Sequence, residues 1–174
     1  MNASNYTGGF SFYAMRGGAA VVHSVDSSAR AIDITRSNVE LNVPDDPRHQ
    51  AFAEDAFRFL DTMPGRDDAE GYDLIVLDPP AFTKSSDTVK EGYKGYLTTN
   101  AEALSILEKG GVMFTCSCSR FMTIPLFLKM AEEAAAIAKV NVKLLEIKTQ
   151  APDHAALMGL DDALYLKTLV LMRV

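Results

Sequence analysis

The sequence predicts one α/β domain built on a doubly wound, mostly parallel sheet. Three observations carry this expectation. Short β-branched or apolar runs alternate with stretches of helical periodicity along the whole chain. The clearest run, residues 72–78, is continuously apolar in its middle, as a strand covered on both faces would be. The last two predicted strands follow one another directly, so an otherwise parallel sheet should finish with an antiparallel strand.

Taken in order, residues 21–25 are β-branched and short, and read as a strand ending at Asp26. Ser27 and Ser28 are good N-caps for a helix to about residue 41, with Ala31, Ile34, Val39 and Leu41 on or near one stripe. Pro44 and Pro47 break that helix. A short strand around residues 50–53 ends at Glu54-Asp55, and a short helix runs from residue 56 to about 63. The strand at 72–78 stops at Pro79-Pro80. Residues 85–98 are polar and are expected to begin as loop, followed by a helix to about residue 108 closed by Gly110-Gly111. A strand at 112–116, an amphipathic helix at 122–139 and strands at 142–147 and 164–173 complete the chain.

Composition narrows the classes. A chain of 174 residues and 19.0 kDa suits one domain with one core. No apolar run reaches the ~20 residues that span a bilayer. The first five residues lack both a basic stretch and an apolar segment, so a cytoplasmic protein with no membrane partner is expected. The net charge of −6 argues against a self-sufficient nucleic-acid binder, but not against a catalytic domain whose grip on nucleic acid comes from elsewhere. Cys116 and Cys118 are the only cysteines, too few for a closed zinc site, and no metal is expected.

In a parallel sheet ligands sit at the carboxyl ends of the strands, and the unusual residues collect there. Gly8 and Gly9, after Tyr6-Thr7, either let the backbone pass close to a ligand ahead of a helix N-terminus or form a plain tight turn. The G-x-G-x-x-G pattern of dinucleotide sites is missing. Asp26 either accepts from the two hydroxyls of a ribose or caps the next helix. Asp55 either accepts from an adenine amino group or caps the helix at residue 56. Together they fit an adenosine with a charged tail better than a pyrophosphate. Asp78-Pro79-Pro80-Ala81-Phe82 is the most specific local signal: two prolines hold a rigid path past the strand, and Phe82 is either a stacking surface for a base or a core aromatic. Cys118, after the strand at 112–116, is either a small buried hydrophobe or a thiolate able to add to C6 of a pyrimidine. Lys84, Lys90, Lys94 and Arg120 are expected in loops beside these ends, as phosphate contacts or solvated charges.

These motifs resemble a known family. N-Y-T-G-G-F-S-F-Y-A, S-V-D-S-S, N-V-E-L-N, D-L-I-V-L-D-P-P-A-F, G-Y-K, C-S-C-S, Q-A-P-D-H and L-Y-L-K, in that order, are similar to the ribosomal RNA large subunit methyltransferase I family. The resemblance implies a Rossmann-like methyltransferase sheet, S-adenosylmethionine as cofactor, and methylation of cytosine C5 in 23S rRNA. It implies that Tyr6, Thr7, Gly8 and Gly9 line the methionine part of the cofactor, with Asp26 on the ribose, Asp55 near the adenine and Asp78 at the target base. Its S-C-S motif aligns with Ser117-Cys118-Ser119 and makes Cys118 the nucleophile. Departures are Arg120, where a glycine or polar residue is common, and the N-terminus. The family carries a PUA-type RNA-binding domain there, so residues 1–174 are expected to be the catalytic domain alone, with weak hold on RNA and a clipped first strand. Two rival readings are methylation of an exocyclic amine, with Cys118 a bystander, and a truncated non-catalytic module. The second would take a subunit supplied in trans or pair as a homodimer through an open edge at the short first strand. His154 either faces the base or is a satisfied structural histidine, and the structural, packed role is the expected one.

Overall fold

The computed structural model describes residues 1–62, 71–83, 85–159 and 165–174. The expected end of the short helix at residue 63, Lys84 and the expected start of the last strand at residue 164 lie outside the described residues. Seven strands form one sheet: β1 (Asn2–Ala3), β2 (Val22–Asp26), β3 (His49–Ala53), β4 (Tyr72–Leu77), β5 (Leu107–Ser117), β6 (Val142–Thr149) and β7 (Lys167–Arg173). The helices are α1 (Gly9–Arg16), α2 (Ala29–Asn42), α3 (Ala56–Thr62), α4 (Val89–Ser105) and α5 (Ile124–Ala138).

The strand order is β3-β2-β1-β4-β5-β7-β6. β1 to β5 pair in parallel, and β7 runs antiparallel to both β5 and β6. This is the expected mostly parallel, doubly wound sheet with an antiparallel terminal strand. β1 sits between β2 and β4, where the winding reverses, and the ends of these strands open into a crevice. The short β1 is therefore interior to the sheet, not the open edge assumed for a homodimer.

Two apolar clusters cover the faces. Phe59 of α3, Tyr96 and Leu104 of α4, and Phe127 and Met130 of α5 pack on Val25, Ile75, Leu77, Met113 and Leu169. Met15 of α1 and Val39 of α2 pack on Val22 from the other side. Each fully buried side chain of this size adds roughly 1.5–3 kcal/mol of burial energy.

Several expectations are corrected. In α2 the buried stripe is Ala31, Ile32, Thr35 and Val39, while Ile34 and Leu41 are exposed. Thr35 replaces an apolar residue because its hydroxyl serves the loop described below. Residues 89–98 are helical from the start, and α4 ends at Ser105, before Glu108. Gly110, at φ 84°, is no helix cap. Tyr72 pairs with Leu107 and Leu74 with Val112, so residues 108–111 bulge out of β5. β4 is buried only in its second half, because β1 reaches only Val76 and Leu77. Between the starts of β2 and β4 lies a cleft of about 570 Å³, bordered by Phe10, Val22, His23, Tyr72 and Leu74. It is remote from the strand ends that carry the acids.

Candidate active site

The loop after β1 is held in a conformation that few residues adopt. Ser4 and Tyr6 have φ of 59° and 51°, and Gly8 has 84°. Left-handed non-glycine residues persist only where their surroundings over-determine them. Here a buried polar network does so. Asn2 donates to Asn5 Oδ1 at 2.7 Å and to Ser11 Oγ at 3.0 Å, and Asn5 donates to Thr35 Oγ1 at 2.6 Å. Ser11 and Ser24 share a bond of 2.7 Å, and Ser24 meets His49 Nε2 at 2.8 Å. Gly8 is required for a second reason: a Cβ there would lie 2.7 Å from Thr35 Cγ2.

This strain turns the Tyr6 amide onto Asp26. Tyr6 N donates to Asp26 Oδ2 and Ser28 N to Oδ1, both at 2.9 Å. Asp26 is thus a fixed acceptor between two loops rather than the helix cap; Ser28 caps α2, accepting from Ala31 N at 3.2 Å. Asp55 does cap α3, accepting from Arg58 N at 3.2 Å. Tyr6, Asp26, Asp55 and Asp78 line one cavity of about 470 Å³ with Pro79, Pro80 and Phe82. Thr7, Gly8 and Gly9 do not line it. Thr7 O accepts from Asn38 Nδ2 at 2.8 Å, so this stretch anchors the loop to α2.

The path after β4 lies against α4. Gly92 and Gly95 face it: a Cβ on Gly92 would stand 2.2 Å from Thr83 Cγ2, and one on Gly95 3.2 Å from Phe82 Cδ2. Phe82 borders the cavity and also packs on Tyr96 and Phe57, with ring centroids 4.7 and 5.7 Å away. Both of its expected roles are therefore compatible with where it stands.

Cys118 follows directly on β5 and is half-buried. Burial first, and the nearby Asp78 carboxylate second, push its thiol up; a backbone hydrogen bond and the Lys167 charge oppose them. Burial also holds Asp78 above the usual carboxylate range. Cys116 is different: burial drives its thiol up to about 12, and its sulfur rests 3.3 Å from Thr168 Oγ1. It is an inert core residue.

Sequence reasoning missed the frame around Cys118. The Tyr96 phenol meets Ser119 Oγ at 2.9 Å and accepts from Ser117 Oγ at 3.0 Å, while Thr83 N donates to Ser119 Oγ at 3.2 Å. Lys167 Nζ donates to the carbonyls of Ser119 and Met122 at 2.5 and 2.7 Å. The available signals were glycines three apart beside Tyr96, and a lysine opening an otherwise apolar strand. Other expectations move. Lys90 and Lys94 stand exposed on α4 rather than in a loop, and Arg120 lies 4.9 Å over the Phe121 ring. His154 is exposed, paired with Asp153 at 3.5 Å, and is no packed core histidine.

The site suits S-adenosylmethionine. Three carboxylates, Asp26, Asp55 and Asp78, face a cavity with apolar walls, which fits a ligand with ribose hydroxyls, an amino-bearing base and a cationic tail and disfavours a pyrophosphate. Among the described residues no group of three metal-ligating side chains comes together, and no helix is long and apolar enough to cross a membrane.

Residues 1–169 match the S-adenosylmethionine-dependent methyltransferase family. The chain is 41% identical over 167 residues to ribosomal RNA large subunit methyltransferase I of Escherichia coli strain SMS-3-5 / SECEC, covering 96% of this chain and 42% of that protein. The chain thus spans less than half the length of the curated relatives it matches. Among solved structures, SMU.776 in complex with SAH superposes with a TM-score of 0.84 at 26% identity, over 99% of this chain and 44% of that one. A Streptococcus mutans structure superposes equally well, at 0.84 and 27% identity, over 99% and 43%. On these grounds the chain belongs to the S-adenosylmethionine-dependent methyltransferase family, with the Rossmann-like sheet and the cofactor that define it.

Proposed function

We propose that residues 1–174 are the catalytic domain of a ribosomal RNA methyltransferase that methylates C5 of cytosine, with Cys118 as nucleophile. The naming of the E. coli relative supports ribosomal RNA as substrate. The observation that carries the chemistry is the neighbourhood of Cys118 and Asp78: they stand at the ends of the paired strands β5 and β4, and the Asp78 charge acts on the Cys118 thiol.

Tyr6, Asp26 and Asp55 would hold the cofactor, with Asp26 on the ribose and Asp55 by the adenine. Thr7, Gly8 and Gly9 would set the loop beside its methionine end. When bound, S-adenosylmethionine supplies an electrophilic methyl group. The Cys118 sulfur, once deprotonated, bonds to C6 of the cytosine and moves electron density to C5. Asp78, whose carboxyl is held up by burial, keeps a proton more readily than an exposed acid and bonds the pyrimidine edge. Once C5 has taken the methyl group, with the cofactor's thioether as the leaving group, a base would accept the C5 proton and the C6–sulfur bond would break to return the thiolate. Positioning of the base beside Cys118 supplies much of the acceleration.

The test is covalent capture. RNA carrying 5-fluorocytosine at the target should form a stable adduct with the chain and none with C118A. Methylation without an adduct, undiminished in C118A, would assign the reaction to an exocyclic amine instead.

A further inference from the structure

Lys167 has no part in the chemistry above, yet it is placed as few lysines are. It opens β7, is 4% exposed, and pairs in register with Ser117, the last residue of β5. A buried ammonium is costly unless its donors are satisfied. Here the carbonyls of Ser119 and Met122 take two of them, at 2.5 and 2.7 Å. Both belong to the turn that carries Cys118 away from β5. The same turn is gripped from the other side. Ser119 Oγ is held by the Tyr96 phenol and the Thr83 amide, and Ser119 N donates to Ser117 Oγ at 3.3 Å. The residues on both sides of Cys118 are thus fixed in place.

The charges around the sulfur have unequal signs. The charges that interact with it are those of Asp78 at the end of β4, Tyr96 on α4, Cys116 on β5 and Lys167 on β7. Among these described groups Lys167 is the cation; burial lowers its pKa, and the charge of the sulfur opposes that shift. We propose that Lys167 is a positioning residue for Cys118: its ammonium clamps the turn that presents the sulfur and supplies the positive charge beside it when the thiolate forms. This rests on the reading of Cys118 as nucleophile.

The two parts of the proposal separate experimentally. In a C116S background Cys118 is the sole thiol, and its alkylation by iodoacetamide can be followed from pH 6 to 10 by intact mass. Replacing Lys167 by Met removes the charge while Asp78 remains, so the thiolate becomes harder to form. The profile should move to higher pH by about one unit, which is about tenfold slower alkylation on its rising limb. K167R, which keeps the charge, should restore most of the rate. K167M that melts cooperatively with an unshifted profile overturns the proposal, and so does K167R shifted as far as K167M. Should K167M fail to fold, K167Q keeps a donor for the two carbonyls without the charge, and an unshifted profile there is equally fatal. The 5-fluorocytosine adduct is scored in parallel. No adduct with the parent chain, together with a shifted K167M profile, would defeat the nucleophile reading and leave the Lys167–Cys118 coupling standing. An adduct forming equally fast in parent and K167M, with unshifted profiles, would defeat the positioning role alone.

Discussion

The amide of Tyr6 donates to Asp26 Oδ2 at 2.9 Å, tying the strained tip of the loop after β1 to the end of β2. The other oxygen of Asp26 accepts from Ser28, so one carboxylate fixes two loops at the border of the cavity. D26A removes two charge-assisted bonds from the protein and the expected contacts to the ribose. At about 1.5–3 kcal/mol for a charged hydrogen bond, binding of S-adenosylhomocysteine should weaken by about 100-fold or more in calorimetric titration. Affinity within a few-fold of the parent would remove Asp26 from the cofactor site.

Gly92 lies inside α4, where alanine would ordinarily gain about 1 kcal/mol of helix propensity. The opposite sign is expected here. A Cβ would meet Thr83 Cγ2 at 2.2 Å and the Phe82 backbone at 3.0 Å, so the path after Pro80 must move. G92A should lose about 1–3 kcal/mol in urea unfolding, the usual cost of overpacking. It should also slow methylation, because Thr83 bonds to Ser119 beside Cys118. A stabilised G92A would show that α4 and this path are not closely fitted.

Glu102 on α4 gives stability a pH dependence opposite to that of most carboxylates. Burial first, then the charges of Asp61 and Asp55, raise its pKa from 4.5 to about 7. The folded chain therefore holds this proton through a range in which the unfolded chain has released it. Stability contributed by the protonated form is lost as pH climbs from about 4.5 to about 7. Urea midpoints at pH 5 and 8 should show this loss, and E102Q should flatten it. A parent slope that survives in E102Q would place the effect elsewhere.

The two cysteines should differ in reactivity despite lying two residues apart. Cys116 is buried with its thiol raised to about 12, whereas Cys118 is half-buried. At pH 8.5 alkylation should modify one thiol per folded chain, lost in C118A and kept in C116S. Equal labelling of both under native conditions would mean that the end of β5 opens readily.

What the sequence determined by itself was the order of elements and the acidic residues at their ends. Alternating apolar runs specify parallel strands because period and length are local properties, and Asp26, Asp55 and Asp78 were visible because each ends such a run. Helix limits were less legible: Gly110-Gly111 reads as a helix stop, yet the pairing of Leu107 with Tyr72 draws those residues into a strand bulge. The tertiary structure alone decided what holds the loops. Thr35 and Asn5 look like surface residues until the chain buries them against each other, and Lys167 looks like a solvated charge until β7 inserts beside β5. Hydrogen bonds between residues 30 or 48 positions apart leave no local pattern, because their partners are chosen by the packing of the sheet and not by neighbours in sequence.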